Sequence, residues 1–223
     1  MILRSAEMRW FGAGEPPLAL DAAFGQPTPA SEERRTDLYL RLPPGSDAVG
    51  IKTREGKLEM KAMTGPAREV SLPGSLVGRL EAWVKWSLDL TPAEGALAFE
   101  EAFRKSGPVA VVTKVRRLRK FERPGNEGNA PAEVAVLRAV SPEANPARGC
   151  NAELTRLGGD AEGCDPRRWT LGFEAYGSDI ADASVILIEA ARLVLADAAP
   201  AIEALRVAAA PMSYPSWLAT WAA

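Results

Sequence analysis

Six short segments carry ionisable residues at the spacing that puts side chains on one face of an extended strand. Glu7 and Arg9, Lys52 and Arg54, Glu59 and Lys61, and Lys114 and Arg116 are pairs two residues apart. Glu153 lies two residues before Thr155, and Glu174 falls in phase with Arg168, Thr170 and Gly172. The alternate positions hold Met8, Trp10, Ile51, Leu58, Met60, Val115, Leu154, Leu171 and Phe173. Period-2 alternation marks a strand with two unlike faces. Two arrangements satisfy it: the charged faces are the solvated outside of a β-sandwich, or they line the interior of a barrel whose apolar side is turned outward under helices. In the second, a cavity rich in Lys and Arg with a few Glu suits a polyanion and a divalent cation. Arg and Lys complement phosphoryl oxygens, and carboxylates hold Mg²⁺ or Mn²⁺.

Composition narrows the chemistry further. The 223 residues contain no histidine, which removes the commonest general base, the commonest zinc ligand and every Ser-His or Cys-His nucleophilic pair. Cys150 and Cys164 form no CxxC motif, and their low number predicts free thiols in a reducing compartment; a disulfide between them stays open, since they flank one hairpin. A net charge of -2 argues against a dedicated nucleic-acid binder. Arg104 to Arg123 nevertheless holds eight basic residues against Glu122 alone, so an interaction module for RNA or an acidic partner is a third option beside an enzyme and a binding protein. The opening segment becomes charged too early for a secretory signal, and Ala183 to Ile202 contains Glu189, Arg192, Asp197 and Pro200, which disqualify it as a membrane span. The expectation is a cytoplasmic protein with no membrane partner.

The elements that must position these charges follow from the same patterns. Strands are predicted over Ile2–Phe11, Arg35–Leu42 (with Asp37, Tyr39 and Arg41 on one face), and the hairpin Val49–Met63, which turns at Glu55-Gly56. Four more follow at Gly107–Arg123, Ala132–Val140, Cys150–Leu157 and Arg167–Tyr176. Gly12 to Glu33, rich in Gly, Pro and Ala, reads as a long loop with at most a short helical turn. Leu76, Leu80, Trp83, Val84 and Leu88 recur at helical spacing, so Ser75–Leu90 is predicted helical, with Ser75 as N-cap. Further helices are expected at Pro92–Phe103 and Asp179–Leu195, Pro200 should interrupt any continuation, and a short terminal helix should carry Trp217 and Trp221. Eight strands, most of them sequence neighbours, favour one antiparallel sheet able to close. The fold class is α+β: a single domain over residues 1–223, its strands within 2–176 forming an eight-stranded antiparallel β-barrel, flanked by helices within 179–223.

The pattern resembles the CYTH superfamily, the triphosphate tunnel metalloenzymes. That family opens on an ExExK-type strand; here Ser5-Ala6-Glu7-Met8-Arg9 supplies the second acid and the basic residue, with Ser5 in place of the first acid. Gly50-Ile51-Lys52-Thr53-Arg54, Leu58-Glu59-Met60-Lys61, Lys114-Val115-Arg116, Ala152-Glu153-Leu154 and Gly172-Phe173-Glu174 resemble its later basic and acidic strands. The resemblance covers roughly Ser5 to Tyr176 and implies an eight-stranded tunnel. It implies Mg²⁺- or Mn²⁺-dependent hydrolysis of a triphosphate (tripolyphosphate, thiamine triphosphate or a nucleotide), or cyclisation of ATP. Arg9, Lys52, Arg54, Lys61, Lys114 and Arg116 would bind phosphates, joined by Arg41. Glu7, Glu153 and Glu174 would hold metal, and Glu7 and Glu59 would act as the catalytic acids. Absence of the first acid makes a non-catalytic protein that binds a phosphorylated or other anionic ligand the rival expectation.

Overall fold

The computed structural model describes residues 2–25, 32–90, 92–125, 136–159 and 168–220. Its strands are Ile2–Ala13 (β1), Glu33–Leu40 (β2), Val49–Arg54 (β3), Lys57–Met63 (β4), Arg68–Ser71 (β5), Val77–Asp89 (β6), Val109–Glu122 (β7), Arg138–Val140 (β8), Gly149–Gly159 (β9), Arg168–Tyr176 (β10) and Ala209–Pro211 (β11). Its α-helices are Leu18–Ala23 (α1), Ala93–Lys105 (α2), Ile180–Asp197 (α3), Ile202–Ala208 (α4) and Tyr214–Ala219 (α5).

Eight strands close a ring in the order β1-β10-β9-β7-β2-β3-β4-β6, with β6 returning to β1, and every pairing is antiparallel. Closure leaves the ring without exposed edges. The seam between β6 and β1 is shared. Residues Ile2 to Glu7 of β1 pair with β6, while Trp10 to Gly12 pair with β11, where β6 has moved on to pair with β5. The hairpin turns through Glu55 and Gly56, both at positive φ (48° and 71°), the backbone of the tightest two-residue turns.

Over β1, β9 and β10 the apolar side of the barrel faces outward, under α3. Met8 and Trp10 of β1, Leu154 of β9 and Leu171 and Phe173 of β10 are buried against Ile186, Leu187, Ala190 and Val194 of α3. The Asp179 carboxylate caps α3 by accepting the Asp182 N–H at 2.8 Å, and burial of its aliphatic face holds the helix on the sheet. The charged bridges Arg117 to Asp21 and Arg119 to Asp197 (2.8 Å) fasten the outer face of β7 to α1 and α3. The opposite phase of β7, with Lys114 and Arg116, turns inward. Among the described residues no helix is long and apolar enough to cross a membrane.

Two elements differ from expectation. Ser75–Leu90 is not a helix: it supplies β6, the eighth strand of the ring, preceded by a 3-10 turn at Pro73–Ser75. Its helical spacing is a by-product of apolar residues on both faces of a strand, Leu80 and Val84 outward and Trp83 inward. Pairing with β1, β4 and β5 overrides the local pattern. Gly78 marks the strand, because any Cβ there would collide with the Met8 thioether. Conversely, the strand expected over Ala132–Val140 contributes to the ring nothing that the structure describes: only Arg138–Val140 is extended, as β8 against β7, and residues 132–135 lie outside the described residues. The expected loop Gly12–Glu33 includes the end of β1 and α1. Pro200 interrupts the helices as expected, in a 3-10 turn between α3 and α4. Cys150 is free and buried, and Cys164 and Trp221 lie outside the described residues.

Candidate anion-binding site

The inward faces of the ring enclose a cavity of about 260 Å³. Lys52 and Arg54 of β3 and Lys61 of β4 line it together with Glu174 of β10, so these three cations of the hairpin point inward. Glu7, Arg9, Glu59, Arg116 and Glu153 line it too. Lys114 lies below, 3% exposed, against the aromatic floor. Arg41 is placed elsewhere: it follows the end of β2, its backbone N–H bonds to the Pro108 carbonyl at 2.8 Å, and it is not part of the lining.

The charges are layered. Deepest is Asp37, completely buried on β2. Its carboxylate accepts from Lys114 at 2.7 Å and Lys52 at 3.3 Å, with Arg35 at 3.7 Å and Arg54 at 3.9 Å. The Tyr39 hydroxyl accepts from Lys114 at 2.8 Å and donates to Asp37 at 3.1 Å. Burial works to raise the Asp37 pKa, but Lys114, Lys52 and Arg35 overrule it and hold the acid far below the carboxylate range. Burial pulls Lys52 and Lys114 down to about 8 in spite of Asp37. Above them, Glu59 pairs with Lys52 at 2.9 Å; burial opposes its ionisation, yet Lys52 and Arg54 bring it to about 2.

A second layer crosses three neighbouring strands. Arg9 of β1 faces Gly172 of β10, which faces Glu153 of β9. With no side chain between them, the Arg9 guanidinium lies across Gly172 to reach Glu153 at 2.5 Å, and donates to Thr170 Oγ1 at 2.8 Å. A Cβ on residue 172 would sit 2.5 Å from the guanidinium carbon. Arg116 reaches Glu153 from the other side at 3.2 Å and Glu33 at 2.6 Å. Burial works against the Glu153 carboxylate, but Arg9, Arg116 and Arg35 keep it well below its usual range.

At the third level Glu7 pairs across the sheet with Glu174 on one side and Glu81 on the other. Lys61 donates to Glu7 at 2.8 Å while its ammonium rests 4.1 Å from the Trp83 ring centre, and Ser5 donates to Glu7 at 3.2 Å. Burial, then the neighbouring Glu7, push Glu174 upward; Lys85, at 3.9 Å, works against them without reversing the direction. Burial also raises Glu81, whose carboxylate accepts from the Trp83 indole at 3.1 Å.

The structure therefore adds Arg35, Asp37, Tyr39, Lys85, Asn151 and Tyr214 to the expected residues around the cavity. Asp37 and Tyr39 share a strand face visible in the sequence. Lys85 was masked by the helical reading of its segment, and Tyr214 arrives from a short helix with no charge pattern to announce it.

Mg²⁺ or Mn²⁺ is implied by the resemblance, and the acids present do not fit it as a three-carboxylate centre. Among the described residues no three Asp, Glu, Cys or His side chains converge so that they could hold a metal ion. Glu7 is engaged by Lys61 and Ser5, and Glu153 by Arg9 and Arg116. These carboxylates act as counter-ions to the basic wall. No protein-family model matches the sequence, and no curated protein matches it. The likeness to the CYTH tunnels consists of the short motifs and an eight-stranded antiparallel barrel consistent with that fold.

Proposed function

We propose that the barrel binds a phosphorylated or polyphosphate anion, and that this chain is a binding protein more than a hydrolase. The observation that carries the reading is the charge of the lining. Seven basic residues (Arg9, Arg35, Lys52, Arg54, Lys61, Lys85, Arg116) face four acids (Glu7, Glu59, Glu153, Glu174), a surplus of three positive charges in one enclosed space. Lys114 and Asp37 beneath cancel one another. Confinement at low dielectric makes that surplus attractive to an anion and costly when unmatched. Tripolyphosphate, whose oxygens accept from several cations at once, is the probe.

Tripolyphosphate should raise the melting temperature, with stabilisation growing by about 1.4 kcal/mol per decade of ligand above Kd, and added salt should weaken binding. If neither tripolyphosphate nor another phosphorylated anion moves the melting temperature, the reading fails. Hydrolysis of a triphosphate with Mg²⁺ or Mn²⁺ is the second reading, favoured by Glu174. This acid is held toward its protonated form inside the cavity, where it can exchange a proton with bound phosphate. Phosphate release with either metal, abolished by Glu174→Gln, would select it over simple binding.

A further inference from the structure

Part of the barrel wall has no cover. The outward phase of β4 holds Leu58, Met60 and Ala62, and that of β6 holds Val84, Trp86 and Leu88, alternating with Glu59, Lys61 and Lys85 of the cavity. Strand pairing gathers them into rows. Met60 lies opposite Trp86, which on its other side lies opposite Ile2 of β1, and Leu58 lies opposite Leu88. No described helix packs across β4 and β6 as α3 packs across β1, β9 and β10. Ile2 is 66% exposed, Leu88 60%, and Met60 and Trp86 42% each.

A sheet face left to solvent is ordinarily polar. Here the charged phase is turned into the cavity, so the outward phase is apolar and needs a cover of its own. Single exposed apolar side chains are common, whereas a contiguous cluster marks a contact surface. The exposed parts of Ile2, Met60, Trp86 and Leu88 amount to roughly 450 Å², and the half-buried Leu58, Ala62 and Val84 bring the patch to about 550 Å², near the top of the range for monomers. Two such faces in contact would bury about 1,100 Å², just above what a specific interface needs. The composition fits, since interface cores favour Trp and Met and lack Lys, Glu and Asp. A groove beside Trp86, lined by Arg4, Thr64, Val84 and Ile180, gives a protruding side chain a recess. A two-fold contact sets one patch on itself, and an apolar patch without charges is complementary to itself while offering a charged partner nothing to recognise. A net charge of -2 gives two copies little mutual repulsion.

We propose that the outward face of β4, β6 and the start of β1 is a two-fold contact between two copies of this chain, with Trp86 at its centre. Each copy supplies the cover that the other's sheet lacks. The contact is small, so the pair forms and separates with concentration. It stands independently of the anion-binding reading, because the patch and the cavity use opposite phases of the same strands.

The test is sedimentation velocity of the full chain from about 1 to about 100 μM, the range in which an interface of this size separates. The expected result is a mass of two 23.8 kDa chains at the upper end, falling toward one on dilution and insensitive to added sodium chloride. Trp86→Glu enters a two-fold contact twice, so it should raise the dissociation constant at least about a hundredfold. Leu88→Lys should act in the same direction. Both side chains are exposed, so the melting temperature of either variant, measured at the lowest concentration, should match that of the dilute wild type. Val207→Lys, equally exposed but on α4, should leave association unchanged. A wild type that stays a single chain throughout the range, a pair that survives both Trp86→Glu and Leu88→Lys, or an equal loss in Val207→Lys would overturn the proposal.

Discussion

Asp37→Asn isolates the electrostatic centre of the barrel. The substitution preserves shape and removes the one charge that four cations share, the nearest being Lys114 at 2.7 Å and Lys52 at 3.3 Å. Asp37 is 0% exposed, so solvent does not screen the loss. Breaking a buried pair by deleting one partner costs about 3–5 kcal/mol, a large part of the roughly 5–15 kcal/mol that holds a domain together. The pH dependence gives the mechanism away. Burial already holds Lys52 and Lys114 near 8 in the folded protein, and Asp37 is what keeps them that high. Without it both should lose their protons at lower pH. Between the variant's lysine pKa values and about 8, the folded variant binds fewer protons than the folded wild type, so its stability climbs more steeply as pH rises. Each lysine narrows the deficit by up to about 1.4 kcal/mol per pH unit in that window. Above it both lysines are neutral in both folded proteins, and the deficit levels off. Urea unfolding followed by tryptophan fluorescence measures this directly. A deficit under about 1 kcal/mol that stays flat from about pH 6 to 9 would refute the argument, because it would mean that solvent, not Asp37, balances the cations.

Three further outcomes follow from the layers around the cavity. Gly172→Ala should displace the Arg9 guanidinium from Glu153 and Thr170; because the new methyl meets the flexible end of a side chain, unfolding should cost only about 1–2 kcal/mol, while calorimetric affinity for tripolyphosphate falls markedly. Glu174→Gln should tighten tripolyphosphate binding, since it raises the positive surplus of the lining. The gain should be largest at high pH, where Glu174 is ionised, and fade as pH falls and the wild-type acid protonates; weaker binding at high pH would contradict it. Cys150, buried and with its thiol pushed far up by that burial, should resist iodoacetamide in the folded protein and react on unfolding, which mass spectrometry of the alkylated peptide would show.

Most of the barrel was legible because its strands are unlike on their two faces. The hairpin at Val49–Met63 is the clearest case, with apolar residues on one phase and Lys or Arg on the other. β6 was not legible for the opposite reason. Both of its faces are packed, Leu80 outward and Trp83 inward, so period 2 is blurred and a chance helical spacing stands out. Only its three partner strands reveal it. The site shows the same division. Residues paired on a strand, such as Lys52 with Arg54, could be named from local spacing. Arg41 shares that spacing with Asp37 and Tyr39, but β2 ends one residue earlier, which removes it from the wall. Tyr214 reaches the cavity through α5, whose position is set by β11 and the packing around Phe11, long-range facts that no local pattern encodes.

The shared seam on β1 bears on how the chain becomes folded at all. β1 is made before all of its partners, which include β6, β10 and β11, and its contact with Thr170 spans 161 residues of sequence. Contacts of such separation slow folding, since loop closure is paid before pairing rewards it. During synthesis, the stretch from β2 to β7 can assemble as an open sheet, with a cationic inner face and bare edges, well before its closing strands emerge. Of the described elements, the last to emerge is α5, which carries Tyr214. The short helix that forms wall at one end of the cavity therefore docks only after the eight strands that make the ring have all been synthesised.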